Sequence, residues 1–391
     1  MRGIRDVIAG MEIQKIGEVS KLALDYPDTM PLWFGESDMA TPEFVQAAAI
    51  AAMRAGHTRY VNKRGLPALR HAIAAYNEAL FGRPVALERV TATASAMTAI
   101  MIAMQCLVGN GDNVVMVSPV WPNAVQCVTA MGGESRHVRL RDGEGGWQLD
   151  LDELFAACDE RTRAFFIASP GNPTGWVMSP EEQRAILDFC RARGIWLIAD
   201  EVYNRIVYDA PRNGFAHAPS MMEMIEPDDP VFVVYGFSKA YAMTGWRLGW
   251  LVHPPALGAA IGDLSGINNT GATSFVQHAG VAALGTEGEA FLATMIERCR
   301  VGREIVFQRL AALPGVRISR PEAAFYAFFA VDGIDDSLAF AQDLVRRHGV
   351  GLSPGSAFGP GNESCLRLCF ANSEAVLSDA LDRLTAALGR A

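Results

Sequence analysis

The sequence predicts an α/β protein with a mostly parallel central sheet sandwiched by helices, joined to a smaller α+β domain. Three observations predict it. Short, continuous apolar runs of strand length recur through the middle of the chain without polar alternation, as strands buried on both faces require. Capped helical patterns lie between some of them, which makes a βαβ series. After about Gly285 the order changes to a long helical stretch followed by short strands and helices.

Taken in order, the first forty residues contain no long helical pattern and are expected to pack with the C-terminal part. Residues 92–108 are apolar but interrupted by Thr, Ser and Gln, too short and too polar for a membrane span, so they read as a buried core helix. Strands follow at 114–117, ended by Ser118-Pro119, and at 164–168, ended by Ser169-Pro-Gly-Asn-Pro173. Ser179-Pro-Glu-Glu182 opens a helix with a cap, a proline and acids, and Gly194 closes it. Strands at 195–199, ended by Asp200-Glu201, and at 231–235, ended by Gly236, complete the series. Beyond it come a helix near 287–313, strands at 325–330 and 365–370, and helices near 337–347 and 373–388. The division expected is a large domain at 45–285 and a small one made of 1–44 and 286–391.

The chain has 391 residues, half of them hydrophobic, with a net charge of −9. That balance excludes a basic nucleic-acid or membrane-surface binder. The seven cysteines are scattered, with no CxxC pair, so a reducing, cytoplasmic compartment is expected. The start, Met1-Arg-Gly-Ile-Arg-Asp6, is charged and has no apolar run behind it, so no signal peptide is expected. The seven histidines show no ligand spacing, and no metal is expected.

In parallel sheets ligands collect beyond the carboxyl ends of the strands, which singles out Asn172, Asp200, Tyr203, Ser238 and Lys239. Only four residues are lysines, against thirty arginines, and Lys239 lies in a long apolar run. Burial would lower its pKa, and a neutral amine can form a Schiff base with an aldehyde. Asp200 ends an apolar strand and needs a cationic partner, which a protonated pyridine nitrogen would supply. Tyr203 follows three residues on, placed to donate to a phenolate. Arg247 offers a guanidinium fork for a phosphate, with Ser238 as a second contact. The small residues of Thr93-Ala-Ser-Ala-Met-Thr-Ala-Ile100 would let backbone amides approach an anion at a helix start. Trp121 follows a strand end and could stack on a flat heterocycle. Arg367, inside Cys365-Leu-Arg-Leu-Cys-Phe370, suits a bidentate carboxylate clamp. Each has a plainer reading, such as a helix cap, a core aromatic or a structural ion pair, and it is their joint order that favours chemistry.

Together these residues resemble the class I/II aminotransferases, pyridoxal 5'-phosphate (PLP) enzymes of fold type I. The resemblance covers most of the chain. Its most recognisable motif is Ser169-Pro-Gly-Asn-Pro-Thr-Gly175, alongside Asp200-Glu-Val-Tyr203 and Ser238-Lys239. It implies that Lys239 holds PLP, that Asp200 pairs with its ring nitrogen, and that Tyr203 and Asn172 hydrogen-bond its phenolate oxygen. Ser95, Ala96 and Met97 fall on the phosphate-cradling turn, although the family usually carries glycine where Ser95-Ala96 stand. Trp121 falls on the ring-stacking aromatic and Arg247 on the phosphate arginine. Gly35, in Leu32-Trp-Phe-Gly-Glu-Ser-Asp38, would lie at the substrate carboxylate with Asn172 and Arg367. Tyr60 would reach the phosphate bound in the neighbouring subunit, which implies a homodimer with shared sites. Some bacterial aspartate-specific members carry a lysine where Met97 stands; its absence and the aromatic-rich Leu32-Trp33-Phe34 hint at an apolar or uncommon substrate side chain.

The activity implied is transfer of the amino group of an L-amino acid to a 2-oxo acid, with ping-pong kinetics. The same site would serve a PLP-dependent β-lyase, decarboxylase or cyclase, because the bond broken depends on which one stands perpendicular to the ring. A PLP-sensing protein without catalysis is the remaining alternative; the family-like segment begins within the first forty residues and leaves no room for a fused DNA-binding domain.

Overall fold

The computed structural model describes residues 3–12, 14–143, 145–209 and 211–388; Met1 and Arg2, the first two residues of the charged start, lie outside them. The central sheet has seven strands: β1 (Val90–Thr93), β2 (Asn113–Ser118), β3 (Glu134–Arg139), β4 (Thr162–Ala168), β5 (Trp196–Asp200), β6 (Val231–Gly236) and β7 (Gly249–Val252). Their spatial order is β1-β7-β6-β5-β4-β2-β3. Strands β6, β5, β4, β2 and β3 run parallel, whereas β7 is antiparallel to both its neighbours. Strands β2 and β6 are buried over almost their whole length, the physical reason their sequences do not alternate.

A second, antiparallel sheet of four strands comprises β8 (Val316–Ile318), β9 (Tyr326–Val331), β10 (Ser353–Pro354) and β11 (Cys365–Cys369), in the order β8-β9-β11-β10. The helices that matter for the site are α1 (Lys15–Leu22), α2 (Ala96–Leu107), α3 (Pro122–Met131), α4 (Pro180–Arg193), α5 (Thr286–Ala311) and α6 (Glu374–Leu388). Helix α4 carries the full capping box: Ser179 Oγ accepts from Glu182 N–H, and Glu182 accepts from Ser179 N–H at 2.7 Å. Gly194 closes it at φ 65°. Such a box contributes about 1 kcal/mol over an alanine start.

One expectation needs correction and a second gains detail. Residues 92–108 are not one helix. Val90–Thr93 is a strand, and α2 begins only at Ala96, because Ser95 caps the helix at an extended φ of 176°. The helix near 337–347 is α-helical over Ser337–Asp343 and continues as a π-turn to His348. Strand β7 has no counterpart among the sequence expectations, since Gly249-Trp-Leu-Val252 directly follows the turn at Arg247 and its direction depends on that turn.

One hydrophobic core joins β9, β11, α5 and α6 with Ile16, Val19, Leu32 and Trp33 from the N-terminal segment. That segment is anchored where Met30–Pro31 pairs in parallel with Val350–Gly351. Other clusters pack against the two faces of the seven-stranded sheet.

Candidate active site

A cavity of about 480 Å³ opens at the carboxyl edge of the central sheet, within the range of small-molecule sites. Its walls come from the ends of β4, β5 and β6, the start of α2, the N-terminal segment and the second sheet. Asn172, Asp200, Tyr203, Ser238, Lys239 and Arg247 all line it. So do Gly35, Ala96, Met97, Trp121 and Arg367. Ser95 lies one residue behind the wall, and Tyr60 is not part of this chain's cavity: its side chain is 90% exposed.

Asp200 is the last residue of β5, 5% exposed, and its hydrogen bond comes from Val202 N–H at 3.3 Å. Among the described residues no cation forms an ion pair with it, and the Lys239 charge only partly offsets its burial. Burial therefore raises its pKa to about 7, as expected for a carboxyl without a partner. Lys239 sits in the short helix Phe237–Ala240 that follows β6. Its Nζ donates to Gly35 O at 2.5 Å, and burial lowers its pKa to about 8. Tyr203 is buried beside it, with Lys239 Nζ 5.8 Å from the ring centre.

Arg367 is 2% exposed, on β11. Its Nη1 donates to Asn172 Oδ1 at 2.9 Å, and its Nη2 to Ser353 Oγ at 2.9 Å and to Trp33 O. The guanidinium packs against the Tyr326 and Phe358 rings, 4.5 and 4.9 Å from their centres. Its Nε is buried without an acceptor, and among the described residues no carboxylate pairs with it. A buried cation in that state calls for an anion from outside the chain. The loop holding Asn172 is tied to the sheet by Ser169 N–H donating to Asp200 O at 3.1 Å. Gly175 is required there, at φ 71°, because a Cβ would strike Ala323 O.

The anion end is built from backbone. Helix geometry leaves the first amides of α2, at Ala96 and Met97, without intrahelical acceptors. The Ser95 hydroxyl is used within the helix, accepting from Thr98 N–H at 3.0 Å. Ser95 is extended rather than left-handed, so the turn does not need the family's glycine. Gly249 is the glycine the site requires, since a Cβ there would collide with Ala96 N and Ser95 C. Arg247 is exposed at the cavity, and among the described residues it has no carboxylate partner. Its φ of 55° and the φ of 50° at Ala242 are strained for non-glycine residues. Thr41 pins this turn, donating to Ala242 O at 2.5 Å and accepting from Trp246 Nε1 at 2.9 Å.

These features fit PLP. A phosphate suits the free amides and Arg247. A protonated ring nitrogen suits the unpartnered Asp200, and an aldehyde suits the depressed lysine.

Sequence reasoning did not find Tyr326, Gln14, Ile16 or Asn123, which also line the cavity. Tyr326 opens a strand that reads as core, and its neighbours are set only by the pairing of β9 with β11. Gln14 and Ile16 arrive through the N-terminal segment, and Gln14 Nε2 donates to Asn123 Oδ1 at 2.8 Å. No short-range pattern marks either contact.

The profile of the family "Aminotransferase class I and II" matches residues 27–384. The chain is 33% identical over 369 residues to a probable aspartate/prephenate aminotransferase of Aquifex aeolicus, covering 92% of this chain and 91% of that one. It is 34% identical over 335 residues to an arginine–pyruvate transaminase of Pseudomonas aeruginosa, covering 85% and 83%. Among solved structures, a mutant aspartate aminotransferase of Thermus thermophilus superposes with a TM-score of 0.90 at 30% identity, covering 99% of this chain and 100% of that one. An alanine aminotransferase of Pyrococcus furiosus superposes with a TM-score of 0.92 at 26% identity, covering all of both chains. With a profile match over most of its length and relatives of this closeness, the chain belongs to the class I and II aminotransferases, PLP-dependent enzymes of fold type I.

Proposed function

We propose that this cavity moves the amino group of an L-amino acid to a 2-oxo acid, with Lys239, Asp200 and Tyr203 as its catalytic residues. The observation that supports the reading is a complementary pair of buried ionisable groups in one cavity: among the described residues Asp200 forms no ion pair with a cation and Arg367 none with a carboxylate.

Bound here, PLP would supply an aldehyde for the lysine amine and a sink for the electrons released at the substrate Cα. Arg367 holds the substrate carboxylate beside Gly35 and Asn172, which fixes Cα next to Lys239. With its pKa lowered to about 8, Lys239 Nζ is poised to take the Cα proton as general base and then to donate it, as general acid, at a different atom. With PLP bound, Asp200 would keep its ring nitrogen protonated, and Tyr203 and Asn172 would donate to its phenolate oxygen. Arg247, Ser238 and the α2 amides at Ala96 and Met97, at the turn capped by Ser95, would hold its phosphate, and Trp121 would offer a face for its ring. The first product leaves before the second substrate enters, so the kinetics are ping-pong.

The working form is a cytoplasmic homodimer. Tyr60 is 90% exposed and Ile267 78%; such apolar groups suit an interface, and Tyr60 is then free to complete the partner's phosphate site. A core drawn mostly from 1–44 and 286–391, joined by Tyr203 and Ile206, supports a large domain at 45–285 and a small one at 1–44 and 286–391. No helix among the described residues is long and apolar enough to cross a membrane.

The test follows the visible band of the purified enzyme while amino acids are added one at a time. Bleaching that a 2-oxo acid reverses is expected, and the responsive amino acid identifies the donor. Ammonia, carbon dioxide or a cyclic product without any oxo-acid requirement would overturn the transamination reading in favour of a lyase, decarboxylase or cyclase.

A further inference from the structure

Tyr326 is fully buried at the start of β9, yet it lines the cavity. Three contacts define it. Its hydroxyl lies 2.5 Å from the Tyr203 hydroxyl. Its ring lies under the Arg367 guanidinium, 4.5 Å from centre to carbon. Its hydroxyl also lies against the Gly35 backbone, where any Cβ would overlap it.

Burial pushes both tyrosines above their ordinary pKa, so both stay protonated. Two neutral hydroxyls in contact share one hydrogen bond, in which one donates and the other accepts. Among the described residues the Tyr326 hydroxyl has no other hydrogen-bond partner, and the guanidinium beside it offers only donors. Either hydroxyl can donate in this pair; a phenolate anion accepting the Tyr203 proton would leave Tyr326 as the donor, so that Tyr203 accepts from Tyr326 while it donates into the cavity. Accepting one hydrogen bond also makes a hydroxyl a better donor of its own.

We propose that Tyr326 is a positioning residue with two separable parts: its hydroxyl aims and strengthens the Tyr203 proton donated to the cofactor phenolate, and its ring holds the Arg367 guanidinium flat for the substrate carboxylate. This rests on the function proposed above.

The test compares Tyr326→Phe, Tyr326→Leu and Tyr203→Phe with the wild type, each loaded with PLP and checked for an unchanged fold by circular dichroism. The first readout is the pH midpoint of the bound cofactor's visible band. Weaker donation to the phenolate favours the protonated chromophore, so Tyr326→Phe should raise the midpoint by about half to one pH unit, and Tyr203→Phe should raise it further. The second readout is the affinity for propanoate, an unreactive carboxylate. It should hold in Tyr326→Phe, which keeps the ring, and weaken about fivefold to tenfold in Tyr326→Leu. A normal midpoint in Tyr326→Phe beside a raised one in Tyr203→Phe overturns the role of the hydroxyl, and unchanged propanoate affinity in Tyr326→Leu overturns that of the ring. A normal midpoint in both Phe variants overturns the placement of the cofactor itself.

Discussion

Asp200 and Glu201 are neighbours at the end of one strand, both buried, both with a pKa raised to about 7 by desolvation. Their surroundings differ completely. Successive residues leave a strand on opposite sides, so Asp200 faces the cavity while Glu201 faces the other way. Glu201 accepts from Ser220 Oγ and Tyr235 OH at 2.6 Å and from Met221 N–H at 2.9 Å. Asp200 has one long backbone donor. The arginines repeat the contrast. Arg205 is bidentate to Glu289 at 2.9 and 2.7 Å, and its Nε donates to Ala216 O. Arg367 is equally buried, and among the described residues no carboxylate pairs with it. Glu201 and Arg205 are each satisfied by partners within the fold, whereas Asp200 and Arg367 stand open at the cavity, ready for ligand partners. Burial alone separates neither pair, and the state of the hydrogen bonds separates both.

The sharpest break of this comparison is at Lys239, which only the open side needs. Lys239→Ala should lower kcat by about 10⁴-fold or more, measured as the single-turnover half-reaction of cofactor-loaded protein. Normal turnover would remove the lysine from the chemistry. Next come the two carboxylates. Asp200→Ala should cost roughly 10³-fold in kcat with little change in melting temperature. Glu201→Ala should leave kcat within a fewfold and cost about 2–4 kcal/mol of stability, because it strands a hydroxyl pair and a backbone donor. Denaturant melts beside rate assays decide it, and a reversed pattern would mean the open and closed assignments are exchanged.

The arginines sharpen the point with a smaller effect. Arg367→Ala should raise KM for amino acids about 100-fold. Arg205→Ala should leave KM alone and cost about 2 kcal/mol, below the fully buried range because Glu289 keeps some contact with water. Steady-state kinetics and chemical denaturation on both variants test this together.

The smallest effect is one of pH. Folded-state pKa values near 7 lie above those of an unfolded carboxyl, so the folded chain binds more protons between about pH 4 and 7. The apoenzyme should therefore lose stability as pH rises through that window. PLP gives Asp200 a cation and removes its share, leaving that of Glu201. Melting temperatures from pH 5 to 7.5 should fall less steeply for the loaded enzyme; identical slopes would show that Asp200 gains no cation on loading.

Much of this was legible in the residues. Uninterrupted apolar runs located β2, β4, β5 and β6, because a strand covered on both faces has no solvent side to mark. The capping box of α4 was readable because capping is local to one turn. The polar residues at strand ends could be singled out because a parallel sheet gathers them at one edge. The start of α2 was misplaced because a four-residue strand and a buried helix are equally apolar.

What the sequence determined by itself was the set of residues able to carry the chemistry: a rare lysine in an apolar run, an acid at a strand end, an arginine within a strand. Only the tertiary structure decided which of two adjacent acids is open, that Tyr326 touches Tyr203 across 123 residues of chain, and that Gln14 reaches Asn123. The physical reason is that chain position and local pattern fix which groups are available, whereas the pairing of β9 with β11 and the anchoring of the N-terminal segment fix which of them are left without a partner.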